Sequence, residues 1–76
     1  MDTRRLEAFT KVVDLGSVTR AASVLHIAQP ALSQQIISLE GEFRVQLLNR
    51  STRGVTPTEA GKVLYRYAKT IMRQVD

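Results

Sequence analysis

Apolar positions at the start of the chain recur three and four residues apart. Leu6, Phe9 and Val13 do so, with Ala8 and Val12 beside them, which predicts an amphipathic helix. Asp2 stands where it can cap the start, and Gly16 follows as a stop, because glycine takes the left-handed C-terminal conformation at little cost. Ser17 is placed as the N-cap of a second helix, "VTRAASVLH". Val18, Leu25 and Ile27 supply its apolar anchors, and the paired Ala21 and Ala22 let another helix approach closely. After a short turn near Ile27 and Ala28, Pro30 marks the start of a third helix near Gln29. A proline in the first helical turn gives up only an N–H that would be unpaired anyway. Leu32, Ile36, Leu39 and Phe43 repeat at helical intervals and predict one buried stripe. The opposite face carries Pro30, Ser33, Gln34 and Ile37 or Ser38.

Beyond Arg44 the pattern changes. "VQLLNRSTRGVTP" is too short for a helix between its breakers and predicts two brief strands, a wing over 47–56, around a turn at Ser51 and Thr52 with Gly54 easing the geometry. "TPTE" then predicts a helix start: Thr56 caps, Pro57 takes the first helical position and Glu59 reaches back in a capping box. The final helix has apolar positions Ala60, Val63, Leu64, Tyr67, Ala68, Ile71, Met72 and Val75. That stripe is wider than one thin domain needs, and no stop signal ends it. Roughly 20 helical residues would span ~30 Å. With 76 residues and no repeat, low-complexity segment or linker, one small domain is expected. Folding at this size buries only ~60% of the unfolded surface, so its core is thin.

Composition narrows the chemistry. With 43% apolar and 24% charged residues the chain is an ordinary globular sequence. The absence of cysteine rules out disulfides and thiolate metal sites, and the single histidine, His26, cannot build a histidine cluster; neither metal nor cofactor is expected. No apolar run approaches the ~20 residues of a membrane span, and "MDTRRLEAF" has no signal-peptide pattern. No membrane is expected as a partner, and the expected compartment is the cytoplasm. Net charge is +4 and the sequence pI about 10.1. The basic excess lies in the second half: from Phe43 to Arg73, Arg44, Arg50, Arg53, Lys62, Arg66, Lys69 and Arg73 stand against Glu59 alone. Such a footprint suits a polyanion, nucleic acid first and an acidic membrane surface second; a well-solvated surface is the plain alternative.

Against this background "HIAQPALSQQI" carries no full charge, and between Asp14 and Glu40 the only ionised side chain is Arg20. Two helices joined by a tight turn, the second presenting short polar side chains, form a helix-turn-helix arrangement. Its chemistry fits the major groove of DNA. Gln pairs bidentately with adenine, Ser donates or accepts at any base, and an apolar group touches the thymine methyl. Acidic side chains there would be repelled by flanking phosphates. Candidate contacts are Gln29, Pro30, Ser33 and Gln34 on a recognition helix over about 29–42. Arg50 and Arg53 on the wing would reach phosphate or the minor groove, Arg53 as the direct contact and Arg50 with a shared structural role. A plain solvated face, or a helical surface for another protein, remains the alternative for the Gln/Ser face. Tyr65 and Tyr67 are either stacking platforms for single strands or, as their spacing favours for Tyr67, core or interface. Lys62, Arg66, Lys69 and Arg73 share one helix face, whose plain reading is a solvated one. Enzymatic chemistry has little support: the sequence offers no nucleophile–base pair, clustered carboxylates or glycine-rich phosphate loop.

"SVTRAASVLHIAQPALSQQIISLEGEF" followed by "LLNRSTRGVTPTEAGKVL" resembles the N-terminal DNA-binding domain of LysR-type transcriptional regulators. The pattern is carried by Ala21 and Ala22, Gln29 to Ala31 with Ser33, Ile36, Leu39 and Glu40, Arg50 and Arg53, and Thr58 with Gly61. Nearly the whole chain matches in register. "LHIAQPALSQQ" and "RGVTPTEAGK" look closest to the nitrogen-assimilation-control subgroup. Two positions depart from the commonest pattern: Gln34 stands where many members have Arg, and Pro57 where many have Leu. The resemblance implies a mainly α fold: a winged helix-turn-helix over 1–57 and a linker and dimerisation helix over 58–76. It also implies a homodimer on a pseudo-palindromic operator, antiparallel through the last helix, with Leu64, Tyr67, Ile71 and Val75 in the seam. Full-length members carry a further C-terminal domain that binds a small-molecule effector; this chain is expected to lack it.

Overall fold

The helical spacing of the first half produces three helices that cover one another's apolar faces. In the computed structural model, which describes residues 3–75, they are α1 (Thr3–Leu15), α2 (Val18–Leu25) and α3 (Gln29–Phe43). The cap read for Asp2 lies outside the described residues. Gly16 ends α1 at φ +66°, its N–H on the Val12 carbonyl at 2.8 Å. Ser17 caps α2 by accepting the Arg20 N–H at 3.1 Å, and His26 closes that helix in the left-handed conformation. Pro30 sits in the first turn of α3, as its missing N–H allows. Phe9, Ala21, Leu32, Ile36 and Leu39 meet in the centre.

The stripe on α3 stops one turn before the sequence suggests. Phe43 is 42% exposed, because the chain turns back at Arg44, which adopts a left-handed φ of 55°, and Leu47 and Leu48 fill the end of the core instead. Strands β1 (Leu48–Ser51) and β2 (Gly54–Pro57) then form an antiparallel hairpin. Its turn falls at Thr52 and Arg53, one residue later than expected. Ser51 pairs with Gly54, and its hydroxyl accepts the Arg53 N–H at 3.2 Å, which holds the turn in that register.

The last helix, α4 (Glu59–Val75), also starts later than "TPTE" suggests. Pro57 stays in β2 opposite Leu48, and the cap is Thr58 rather than Thr56. The Thr58 hydroxyl accepts the Gly61 N–H at 3.0 Å and donates to the Gln46 carbonyl at 2.7 Å, while its N–H reaches the Leu47 carbonyl at 2.9 Å. A cap at Thr56 would leave those loop carbonyls without these donors. Glu59 closes no capping box; it is largely exposed and pairs with Lys62 at 3.1 Å. α4 lies on α1, with Ala68 fully buried and the Thr10 hydroxyl donating to Met72 Sδ at 3.7 Å.

Candidate nucleic-acid interface

With Leu32, Ile36 and Leu39 turned inward, the helical repeat puts Pro30, Gln34, Ile37 and Gly41 on the opposite side of α3, and all four are exposed. Ser33 is half-buried at the edge of this face. Gln29 is exposed at the helix start, and the Thr19 hydroxyl donates to its Oε1 at 3.1 Å, which orients the amide. Of the pair Ile37 or Ser38, Ile37 takes the outer face. Ser38 lies on the α1 margin, where Arg5 donates to its hydroxyl at 3.1 Å and pairs with Glu42 at 3.0 Å. No local pattern marks Arg5, because these partners lie 33 and 37 residues away in the chain.

The wing is anchored at its root and at its turn. Glu40 Oε2 accepts the N–H of Leu47 at 2.8 Å and of Leu48 at 3.4 Å, so one carboxylate of α3 holds the entry to β1. Glu40 carried no predicted role beyond the family pattern. At the other end the Val55 N–H reaches the Gly16 carbonyl at 3.1 Å. Gly54, at φ +126°, permits this approach: a Cβ there would stand 2.6 Å from the Gly16 oxygen. Arg53 is exposed in the turn. Arg50 pairs with Val55 and shares the hairpin face of Leu48 and Pro57, and its side chain is exposed.

On α4 the apolar positions divide. Ala68 and the half-buried Leu64 and Met72 face the domain, whereas Val63, Tyr67 and Ile71 are exposed. Tyr67, at 66% exposure, is not a core residue. Val63, Leu64 and Tyr67 line a groove of about 310 Å³ together with Phe43, Val45, Leu47 and Ala60. The side chain of Val75 lies outside the described residues. Tyr65 is no free stacking platform: its hydroxyl donates to Asp14, and Lys69 Nζ sits 3.1 Å from the same carboxylate and 5.3 Å from the Tyr65 ring centre. Burial raises the Asp14 pKa, but the hydrogen bonds from Tyr65 and Lys69 outweigh it and hold the carboxyl below its ordinary range. The hydrogen bond to Asp14 pushes both Tyr65 and Lys69 up. Lys69 therefore turns onto α1 and Lys62 onto Glu59, so the basic run is not a uniformly solvated face. Among the described residues no group of His, Asp or Glu is placed to hold a metal ion, and no helix is long and apolar enough to cross a membrane.

Residues 3–62 match the family described as "Bacterial regulatory helix-turn-helix protein, lysR family". The nitrogen assimilation regulatory protein nac of Klebsiella aerogenes is 66% identical over all 76 residues, which cover 25% of that relative, and its Escherichia coli K12 counterpart is 63% identical over the same span. This chain thus spans about a quarter of the length of those relatives. A crystal structure of BenM DBD with catB site 1 DNA superposes with a TM-score of 0.96 at 46% identity, covering 100% of this chain and 85% of that one. A CbnR DBD–DNA complex gives 0.93 at 36% identity, covering 99% of this chain and 86% of the other. With the winged helix-turn-helix geometry and these matches together, the chain belongs to the LysR family of bacterial regulatory helix-turn-helix proteins.

Proposed function

We propose that this chain is a sequence-specific duplex-DNA-binding domain of a bacterial transcriptional regulator. The observation that carries the reading is the outer face of α3: exposed, hydrogen-bonding and free of charged side chains from Gln29 to Ser38 in a chain of net charge +4. In this reading α3 lies in the major groove. Gln29, Pro30, Ser33 and Gln34 approach base edges, and Arg53, with Arg50 in a shared role, meets phosphate or the minor groove. The DNA-bound BenM and CbnR structures, which share this backbone, support the assignment. The family is one of regulators, not enzymes.

Residues 1–57 act as the reading head and 58–76 as a linker helix. The last helix meets the same helix of a second copy through a seam of Leu64, Tyr67, Ile71 and Val75, in which Tyr67 and Ile71 are exposed and Leu64 is half-buried at the edge of the groove. A two-fold axis then sets two recognition helices in successive major grooves, ~34 Å apart, on a pseudo-palindrome. A small-molecule effector acts through parts of a full-length regulator outside this chain, and the protein works in the cytoplasm.

The test is selection from a random duplex pool followed by a salt titration of the selected site. An enriched pseudo-palindrome whose affinity falls steeply with salt is the expected result. No enrichment, with a salt-insensitive contact to protein instead, would mean that the Gln/Ser face serves a protein partner.

A further inference from the structure

We infer that Ile37 and Gly41 extend the reading surface of α3. Ile37 contacts the C5-methyl group of one thymine in each half-site, and at Gly41 the sugar–phosphate wall of the groove comes against the helix backbone. The inference rests on the DNA-binding reading above and adds a thymine-methyl contact and a close backbone approach to it.

Gly41 lies inside a 15-residue helix, where glycine is disfavoured relative to alanine. Nothing in the fold asks for it. Its φ is not positive, and a Cβ built there would meet no atom within 4 Å. At Gly61, by contrast, a Cβ would stand 2.1 Å from the Leu47 carbonyl oxygen. The side chain missing at Gly41 therefore clears space outside the protein. That space is on the line of Pro30, since eleven residues make close to three helical turns. The neighbouring carboxylates are both engaged away from it, Glu40 by the N–H groups of Leu47 and Leu48 and Glu42 by Arg5. A phosphate approaching Gly41 meets no unpaired acid from these two residues, and Arg44 adds an exposed cation three residues on.

Ile37 is 53% exposed. A lone exposed isoleucine needs no explanation in itself. This one stands between Gln34 and Gly41 on the single uncharged face of the helix, where an aliphatic group has one specific partner in a major groove, the thymine methyl. From Pro30 to Ile37 the helix rises about 10.5 Å, roughly three base-pair steps of 3.4 Å. Ile37 thus meets a base pair beyond those assigned to Gln29 and Pro30.

The probe is the duplex this chain selects from a random pool, with its thymines replaced one at a time by deoxyuridine, which removes only the methyl group. One replacement per half-site is expected to weaken binding about fourfold, the effect of one buried methyl. Ile37→Ala should lose a similar factor on the thymine duplex and be indifferent to that replacement. Gly41→Ala should raise the melting temperature yet weaken selected and random duplexes alike, by about tenfold or more. Deoxyuridine tolerated at every position, or an undiminished effect in Ile37→Ala, overturns the methyl contact. Unchanged affinity in a stabilised Gly41→Ala overturns the wall contact. A pool that yields no enriched duplex overturns the DNA-binding reading itself, and this inference with it.

Discussion

Gly61→Ala separates what a helix prefers from what this fold permits. By propensity alone the change should stabilise α4 by ~1 kcal/mol. In the structure the new Cβ would stand 2.1 Å from the Leu47 carbonyl oxygen and 3.2 Å from Pro57 Cβ. Carbon–oxygen contacts settle near ~3.3 Å, so the first turn of α4 must retreat by about 1 Å. The retreat strains the bond from the Thr58 N–H to the Leu47 carbonyl, now 2.9 Å, and that from the Thr58 hydroxyl to the Gln46 carbonyl, now 2.7 Å. Overpacking costs ~1–3 kcal/mol, and each weakened hydrogen bond costs ~0.5–1.5 kcal/mol. Set against the propensity gain, the net destabilisation is about 3 kcal/mol. A domain of this size has ~4–11 kcal/mol in total, and each kcal/mol moves its midpoint by ~4–8 °C. Thermal unfolding followed by circular dichroism should therefore show a midpoint lower by ~12–24 °C. Gly41→Ala is the internal control: the same change in an open helix position should raise the midpoint. A Gly61→Ala domain that melts with the unmutated protein would refute the packing argument.

Four further outcomes are expected. Gln34→Ala should cost ~1–3 kcal/mol at one position of each half-site and relax the preference there; equal weakening on every sequence would remove Gln34 from base reading. Arg53→Ala should weaken all sites similarly and reduce the salt slope by ~1, and an unchanged slope would take Arg53 off the DNA. Ile71→Glu should lower dimerisation and operator affinity together; a monomer in sedimentation that binds the full operator undiminished contradicts the α4 seam. The Asp14 cluster sets a pH window. The depressed Asp14 contributes stability above the ordinary carboxylate pKa, lost as pH falls through its folded value, whereas the raised Tyr65 and Lys69 contribute below about pH 10, lost as pH rises through theirs. The difference in urea midpoint between the unmutated chain and Asp14→Asn should be flat from about pH 5 to 9 and shrink at both ends; a difference that varies across neutral pH refutes the coupling.

The first three helices were legible because their signals are local. The caps at Ser17 and Gly16, Pro30 in a first turn and the Leu32–Ile36–Leu39 stripe all lie within a few residues of what they specify. The misreadings occur where distant partners choose between equivalent local cues. The local pattern predicts a cap at Thr56, but bonds to the carbonyls of Gln46 and Leu47, both distant in the chain, make Thr58 the cap. Phe43 continues the spacing of the buried stripe, but Leu47 and Leu48 return to close the core once the chain has turned at Arg44. The uncharged face of α3 could be read from helical spacing and from the run between Asp14 and Glu40 in which Arg20 alone is charged. The roles of Glu40 and Arg5 could not, because a carboxylate that binds backbone N–H groups across a turn looks like any surface acid in sequence.

The fastening of the wing has a thermodynamic consequence. A flexible hairpin that ordered only on contact would lose ~1–2 kcal/mol of backbone entropy per residue at that moment. Here Glu40 holds the entry to β1, Gly16 holds β2 through Val55, and Thr58 ties the base to the loop, so that loss has already occurred in folding. In the proposed complex a preorganised wing needs no ordering step before docking, so its contacts carry no entropy loss at that moment. It also makes Gly16 a control point for affinity. A residue there that moved the carbonyl accepting the Val55 N–H would restore the wing's freedom and weaken binding, without altering any group that faces the DNA in the proposed complex.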